Sequence, residues 1–119
     1  MAWELDGKRS IYQQLIEIIR QRIITGVYAP GARLDSVRDL ANEAGVNPNT
    51  MQRALAELEN SGIIYSVRTS GRFVTDDQEM IRKLREEEAQ AEAAAFLGRM
   101  RSLGFTGDEV LEVLKKMEG

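Results

Sequence analysis

The sequence contains neither cysteine nor histidine. Without cysteine there is no disulfide framework and no thiolate zinc site, and without histidine there is no imidazole to serve as metal ligand or general base. The usual nucleophile–base pairs are therefore excluded, and no motif supports a lysine or carboxylate alternative. We expect no enzymatic activity, no catalytic residue, no metal and no cofactor.

Long apolar stretches are also missing. No run approaches the roughly 18 apolar residues that indicate a membrane span, and the N-terminal segment MAWELDGKRS lacks the basic-then-apolar pattern of an export signal. With 119 residues, the chain has room for one small domain and an appendage, but not for two full cores. We expect a cytoplasmic protein without a membrane partner.

Positive charge is concentrated in one part of an acidic chain. The net charge is −3, yet residues 8–74 carry nine Lys and Arg against six Asp and Glu, whereas residues 75–119 carry seven against eleven. A basic excess attracts nucleic acid, although ordinary variation in surface charge explains an excess of this size equally well. Charge therefore supports nucleic-acid binding without establishing it.

Residues 47–60, NPNTMQRALAELEN, have the pattern of an amphipathic helix with two distinct faces. A capping asparagine and a proline suit its first turn, and Met51, Leu55 and Leu58 form an apolar stripe for the core. The opposite face carries amide and guanidinium groups that can form paired hydrogen bonds with adenine and guanine edges. We interpret the segment as a recognition helix for DNA. Its outward residues are Asn49, Gln52, Arg53 and Ala56.

The flanking segments complete the pattern of a winged helix-turn-helix. Ser10 opens a preceding helix that ends at Gly26, and Ser36 opens a short helix that Gly45 ends just before the recognition helix. After Gly62 the apolar residues alternate, which predicts a β-hairpin. The arginines at its tip would meet phosphates or the minor groove, unless the hairpin is only a charged, solvated turn. The tip consists of Arg68, Thr69, Ser70, Gly71 and Arg72.

Three other features allow more than one interpretation. Residues 3–5 form either a short strand or an apolar arm, and residues 26–34 form a Gly/Pro-rich connection. The basic residues around the first helix lie either near a phosphate backbone or, as is commoner, on a solvated face. They are Lys8, Arg9, Arg20 and Arg22.

From residue 76 onward the composition becomes acidic and alanine-rich. This segment predicts two helices, the second beginning at a capping-box spacing between Thr106 and Glu109. Two such helices cannot bury their own apolar stripes, so a second copy of the chain is a simpler partner than the first domain. The predicted dimerisation residues are Met80, Ile81, Leu84, Ala91, Ala95, Val110, Leu111 and Leu114.

A family resemblance covers residues 10–75 and, by length and character, the tail. RLDSVRDLANEAGVNPNTMQRALAELENSGIIYSVRTSGRFV resembles the DNA-binding segment of the GntR family of bacterial transcription regulators, and VNPNTMQRALAELE with the short tail resembles its YtrA-like subfamily. The resemblance implies a winged-helix domain, a homodimer and a palindromic DNA operator. Carried over by position, it implies DNA contacts by Ser36, Arg38, Asn47, Asn49, Thr50, Gln52 and Arg53, with Gly71 as the wing glycine.

The sequence departs from that family pattern at three positions. Asp35 stands where the family usually has proline, which adds a negative charge near the expected backbone contact. Arg72 replaces the small residue after the wing glycine and could restore attraction to DNA. Ser10 replaces a proline, and either residue suits a helix start.

We therefore predict a mostly α-helical fold with a small β-hairpin. Residues 1–75 would form a winged helix-turn-helix DNA-binding domain and residues 76–119 a two-helix dimerisation tail. The predicted function is a sequence-specific transcription regulator, a repressor, that binds a palindromic operator as a homodimer. A small-molecule effector would have to bind at the dimer interface or between domain and tail, because the short tail has no room for a sizeable pocket within one chain.

The alternative function is a winged-helix module that binds another protein. The polar outer face of the recognition helix argues against it, because protein-binding faces usually expose aromatic residues or leucines. Salt dependence of DNA binding would separate the two functions.

Overall fold

The computed structural model describes residues 3–118, so Met1, Ala2 and Gly119 at the ends of the two predicted domains lie outside the described residues. The described part contains five helices and one antiparallel hairpin, which confirms the predicted fold class. Two compact units can be distinguished, residues 1–82 and residues 83–119. The elements are α1 (Ile11–Ile24), α2 (Val37–Ala44), α3 (Pro48–Asn60), β1 (Ile64–Val67), β2 (Gly71–Val74), α4 (Gln78–Ser102) and α5 (Gly107–Glu118).

Short polar residues determine where the first three helices begin. Each predicted capping side chain accepts a backbone N–H of the first turn, which satisfies a donor that has no partner within the helix. Gly45 ends α2 in the left-handed conformation, with φ of 72°. The helix-turn-helix predicted from the sequence is therefore present: Gly45 ends its first helix, and the Asn47 cap begins its second. The capping bonds run from the Gln13 N–H to Ser10 Oγ at 3.2 Å, from the Asp39 N–H to Ser36 Oγ at 3.1 Å and from the Asn49 N–H to Asn47 Oδ1 at 2.7 Å.

One apolar core holds α1, α2 and α3 together and extends under the hairpin. Burial of a full-sized aliphatic side chain stabilises a fold by about 1.5–3 kcal/mol, so this cluster provides most of the driving force. The stripe predicted for the recognition helix lies within it. The core side chains that are at most 2% exposed include Leu15, Ile19, Ile23, Leu40, Met51, Leu55, Leu58, Ile63, Ile64 and Val74.

The hairpin has a third partner that the sequence pattern did not reveal. Ile64 pairs with Val74 and Val67 with Gly71. On the other side of β2, Arg33 forms an isolated bridge with Phe73, and the Leu34 N–H donates to the Arg72 carbonyl at 2.9 Å. Residues 32–34, expected only as a connection, therefore cover the free edge of β2 and attach the wing to the start of α2.

The N-terminal segment is an arm rather than a strand, and it explains Arg22. The Gln14 side chain holds the arm by accepting the Asp6 N–H at 2.7 Å and donating to the Asp6 carbonyl at 2.6 Å. The Trp3 ring then covers the Arg22 guanidinium, whose carbon lies 4.3 Å from the ring centroid. The same guanidinium donates to the Tyr28 hydroxyl at 2.8 Å. Arg22 is only 7% exposed. Both interpretations of this residue, a phosphate contact and a solvated charge, were wrong.

The C-terminal unit comprises α4 from residue 83 onward and α5. A reciprocal capping box opens α5, with Thr106 N–H donating to Glu109 Oε1 at 2.9 Å and Glu109 N–H donating to Thr106 Oγ1 at 3.2 Å. Gly104, with φ of 91°, forms the turn before it. This helix start is the one predicted from the sequence. The helix leaves Leu111 55% exposed and Met117 78% exposed.

Truncation of Leu55 to alanine tests the core. We expect Leu55→Ala to lower the free energy of unfolding by about 2–5 kcal/mol, because the side chain is 1% exposed and its removal leaves a cavity. Urea denaturation followed by circular dichroism measures the change. Gln52→Ala, on the exposed face of the same helix, should change it by less than about 0.5 kcal/mol. Equal losses for the two variants would contradict the orientation of α3.

Candidate nucleic-acid interface

The outer face of α3 is open to solvent. Asn49, Gln52, Arg53 and Ala56 are exposed, while Thr50 is half-buried at the edge of the face. Because the opposite stripe is fixed in the core, these side chains cannot turn inward without unpacking the helix. The structure therefore brings together the residues that the sequence predicted for this face.

Asn47 has a structural role at the start of this face. Its side-chain oxygen accepts the Asn49 N–H, which fixes the orientation of the amide and leaves its NH2 group to donate to a ligand. Pro48 has no N–H, and the N–H groups of Asn49 and Thr50 are bonded to the Asn47 side chain and carbonyl, so the helix dipole rather than open N–H groups favours a phosphate at this end of α3.

Arg53 is supported by an aromatic ring of another helix. Its guanidinium carbon lies 4.6 Å from the ring centroid of Tyr12, in α1. A guanidinium can stack on a ring through its flat face while its edges keep their N–H donors. Tyr12 is a residue near the site that the sequence analysis did not single out, because its position at an apolar spacing indicated only packing.

The start of α2 faces the wing across a shallow groove. The groove is lined by residues 33–37 on one side and by wing residues, including Ser66, Thr69 and Gly71, on the other. The Ser36 hydroxyl accepts the Asp39 N–H, and Arg38 and Asp35 are both exposed. Ser36 and the acidic departure at Asp35 therefore share this groove with the wing, whereas Arg38 is exposed but does not line it.

A basic residue from outside the hairpin, Arg33, reaches the wing tip. A β-carbon added at Gly71 would lie 3.2 Å from Arg33 Nε, so the Arg33 side chain lies over this glycine. Gly71 also has φ of 108°, a conformation that other residues adopt only with strain. Sequence reasoning missed Arg33 because its bridge to β2 depends on a pairing between distant segments. No residue near Arg33 in the sequence signals this contact.

Arg72 differs from Arg68 in its surroundings. Arg68 is exposed at the turn, whereas Arg72 forms an ion pair with Glu59, in the last turn of α3. The Ser66 hydroxyl donates to the same carboxylate at 2.7 Å. We call this cluster of Glu59, Ser66 and Arg72 the wing brace, because it joins the recognition helix to both strands of the hairpin.

The wing brace changes the acidity of its carboxyl group. The hydrogen bond from Ser66 is the largest influence and lowers the pKa of Glu59; partial burial opposes it, and the hydrogen bond and charge of Arg72 lower the pKa further. A carboxyl whose pKa is lowered by folding stabilises the folded state above its unfolded pKa and loses that contribution as pH falls through the folded pKa.

The residues predicted for dimerisation have different environments. Met80, Ile81 and Leu84 are half-buried and Val110 is buried, whereas Leu111 and Leu114 are 55% and 39% exposed. Ala91 and Ala95 are exposed. In the described single chain, the tail therefore presents both apolar and small side chains at its surface.

Two other kinds of site have no counterpart within residues 3–118. No group of three or more acidic, histidine or cysteine side chains is arranged to hold a metal ion. None of the helices in this range combines the length and hydropathy that a bilayer crossing requires.

Comparison with known proteins decides the family. Residues 11–74 match the model of the bacterial regulatory proteins of the gntR family. The chain belongs to the GntR family. An uncharacterized HTH-type transcriptional regulator of Bacillus subtilis, YhcF, is 33% identical over 112 residues, which span 94% of this chain and 93% of that protein.

Similarity to YtrA places the chain in the YtrA-like subfamily of GntR regulators. The HTH-type transcriptional repressor YtrA of Bacillus subtilis is 39% identical over 76 residues, 62% of this chain and 58% of YtrA. As a member of this family, the chain is a DNA-binding transcription regulator with a winged-helix fold.

Two solved structures support the family assignment. A GntR family transcriptional regulator from Listeria monocytogenes superposes with a TM-score of 0.89 at 39% identity, covering 94% of this chain and 98% of the other. The DNA-binding domain of AraR, solved in complex with operator ORE1, superposes with a TM-score of 0.53 at 27% identity, covering 63% of this chain and 94% of that domain.

Replacement of Glu59 by glutamine tests the wing brace. At pH 7 we expect Glu59→Gln to lower the free energy of unfolding by about 1 kcal/mol, because a partly buried, charge-assisted contact becomes neutral. The difference from wild type should shrink as pH falls through the lowered pKa of Glu59, where the carboxylate itself becomes protonated. Urea denaturation at several pH values measures it.

Glu57→Gln provides the matched control on the same helix, since Glu57 is exposed. Its effect on unfolding at pH 7 should be small. A Glu59→Gln effect that stayed constant as the pH was lowered until Glu59 was protonated would show that the carboxylate charge does not hold the brace.

Proposed function

We propose that this regulator binds a palindromic DNA operator as a homodimer and represses transcription. The observation that carries the proposal is the exposed amide-and-guanidinium face of α3, set beside a basic wing. The AraR domain solved with its operator and the repressor YtrA support it by family membership. A protein-binding module is not favoured, because the exposed face of α3 is polar.

The recognition helix would enter the major groove and read bases. Arg53 suits the two acceptors of guanine, and Gln52 and Asn49 suit the acceptor and donor of adenine. Thr50 would contact phosphate or base at the edge of the helix, and Asn47 would donate through its free amide NH2. Specificity would therefore depend mainly on the exposed side of α3.

The start of α2 and the wing would hold the DNA backbone. Ser36 and Arg38 would contact phosphates, while Arg68 and Gly71 would approach the minor groove or its phosphates. Arg72 would contribute positive charge to the same surface, although Glu59 offsets part of it. We add Arg33 to this set, because its side chain lies over Gly71.

The tail would join two copies of the chain. Exposed apolar residues such as Leu111 and Leu114 would be covered by a second α5, together with the other predicted dimerisation residues except Val110, which is already buried in the single chain. The paired tails would set the two recognition helices about 34–36 Å apart, one turn of the DNA helix. A small-molecule effector of this regulator would bind where the two copies meet. The protein would act in the cytoplasm, where bacterial DNA is transcribed.

Two alanine substitutions separate base reading from backbone contact. We expect Arg53→Ala to weaken binding to the selected operator by about 1–3 kcal/mol and to relax specificity, whereas Arg72→Ala should weaken operator and random DNA alike. The operator is first obtained by selection from random fragments. Fluorescence anisotropy with both DNAs at two salt concentrations then measures each affinity.

Wild-type binding should weaken steeply between the two salt concentrations, because phosphate contacts release counterions. Salt-independent binding would instead support the protein-binding module. Equal losses of Arg53→Ala on operator and random DNA would contradict base reading by this residue.

A charge placed in the tail tests the homodimer. We expect the wild-type protein to sediment as a dimer and Leu111→Glu to sediment as a monomer at micromolar concentration, because a carboxylate would be buried in the interface. Sedimentation velocity measures both. Lys116→Glu, on the far side of α5, should remain dimeric. A strictly monomeric wild-type protein would remove the proposed dimer and its spacing.

A further inference from the structure

The Arg53 guanidinium has an unusual environment for an exposed charged group. It lies over the Tyr12 ring at 4.6 Å, and no carboxylate of the described residues forms an ion pair with it. One side of the guanidinium is therefore next to the ring, while no described side chain accepts a hydrogen bond from its N–H groups. An arginine with a covered face and open edges is oriented for an acceptor that approaches from solvent.

Both members of this pair are attached to rigid parts of the core. Tyr12 is the second residue of α1, whose start is fixed by the Ser10 cap, and it precedes the fully buried Leu15 by one turn. Arg53 is followed directly by the fully buried Ala54. The helices α1 and α3 pack against each other in the same core. The stack is therefore held by two fixed backbones rather than by a flexible loop.

A fixed guanidinium plane matters because base recognition is directional. The side chain has four rotatable bonds, and an unsupported arginine must lose that freedom when it binds a base edge. A ring that already holds the planar group reduces this loss. It also restricts the directions in which the N–H fork can point, which matters for a two-pronged contact and little for a phosphate.

We propose that Tyr12 is a positioning residue for base recognition. Its ring holds the Arg53 guanidinium so that the N–H edge, and not the face, meets the two acceptors of a guanine. The inference rests on the proposed function, in which Arg53 reads a base of the operator. The aromatic ring carries this role, and the Tyr12 hydroxyl has no part in it.

The test compares aromatic and aliphatic replacements of Tyr12. The variants are Tyr12→Phe, Tyr12→Leu and Tyr12→Met, each alone and combined with Arg53→Ala. The probes are the selected operator, the same operator with each guanine of one half-site replaced in turn, and random DNA of the same length. Anisotropy titrations give the affinity ratio between operator and each altered site. Urea denaturation of every variant gives its stability.

Tyr12→Phe should keep the wild-type discrimination at every position. Tyr12→Leu and Tyr12→Met should lose discrimination by roughly threefold to tenfold at the guanine that Arg53→Ala also affects, since the ring contact is of modest strength. Their affinity for random DNA should be unchanged. In the Arg53→Ala background, neither aliphatic replacement should have a further effect, because the group that Tyr12 positions is absent. Gln13→Leu, on an exposed neighbour in α1, is the matched control and should behave as wild type.

Three results would overturn the inference. Wild-type discrimination in both aliphatic variants would show that Arg53 needs no support. Loss in Tyr12→Phe equal to that in Tyr12→Leu would assign the effect to the hydroxyl. A parallel loss on operator and random DNA would indicate a backbone contact or a general defect of the fold.

Failure of the proposed function gives a different pattern. If Arg53→Ala left every affinity ratio unchanged, Arg53 would not read a base and the role of Tyr12 would fail with it. If Arg53→Ala lost discrimination while the aliphatic Tyr12 variants did not, the proposed function would stand and only the positioning role would be wrong. Because methionine is unbranched and flexible, it adapts to the half-buried site better than leucine, and Tyr12→Met separates these results if Tyr12→Leu unfolds.

Discussion

Burial of one side of α3 determines what its other side can do. Met51, Leu55 and Leu58 are at most 1% exposed, so the helix cannot rotate about its axis without taking apolar groups into water. That penalty is far larger than the strength of any single surface contact. The polar face therefore has one orientation, and a surface that must match the fixed pattern of DNA base edges requires such an orientation.

The wing depends on the same helix through polar contacts. Glu59 in the last turn of α3 is bound by Ser66 of β1 and Arg72 of β2, so both strands are connected to the element that would lie in the major groove. On the opposite edge, the Arg33 bridge connects β2 to the start of α2. Helix and wing are thus positioned relative to each other by neighbouring side chains and backbone pairing, and they form one surface rather than two independent parts.

Local chemistry explains which features could be predicted from the sequence. The caps at Ser10, Ser36 and Asn47, the helical stripe of α3 and the alternation of the hairpin involve residues within a few positions of one another. Their patterns therefore identify the elements directly. Features that join distant segments were missed: the pairing of residues 32–34 with β2, the brace at Glu59 and the ring under Arg53. Arg22 was misjudged for the same reason, because nothing near it in sequence indicates that Trp3 covers it.

The cap of α3 has a consequence for what Asn47 can recognise. An asparagine that reads adenine needs both its oxygen and its nitrogen at the base, yet the Asn47 oxygen is already bonded to the Asn49 N–H. The capping bond fixes the orientation of the amide and uses one of the two lone pairs of its oxygen, while both NH2 hydrogens stay open for donation. At this corner of the protein, an acceptor such as a thymine carbonyl, a guanine edge or a phosphate oxygen is therefore the favoured neighbour.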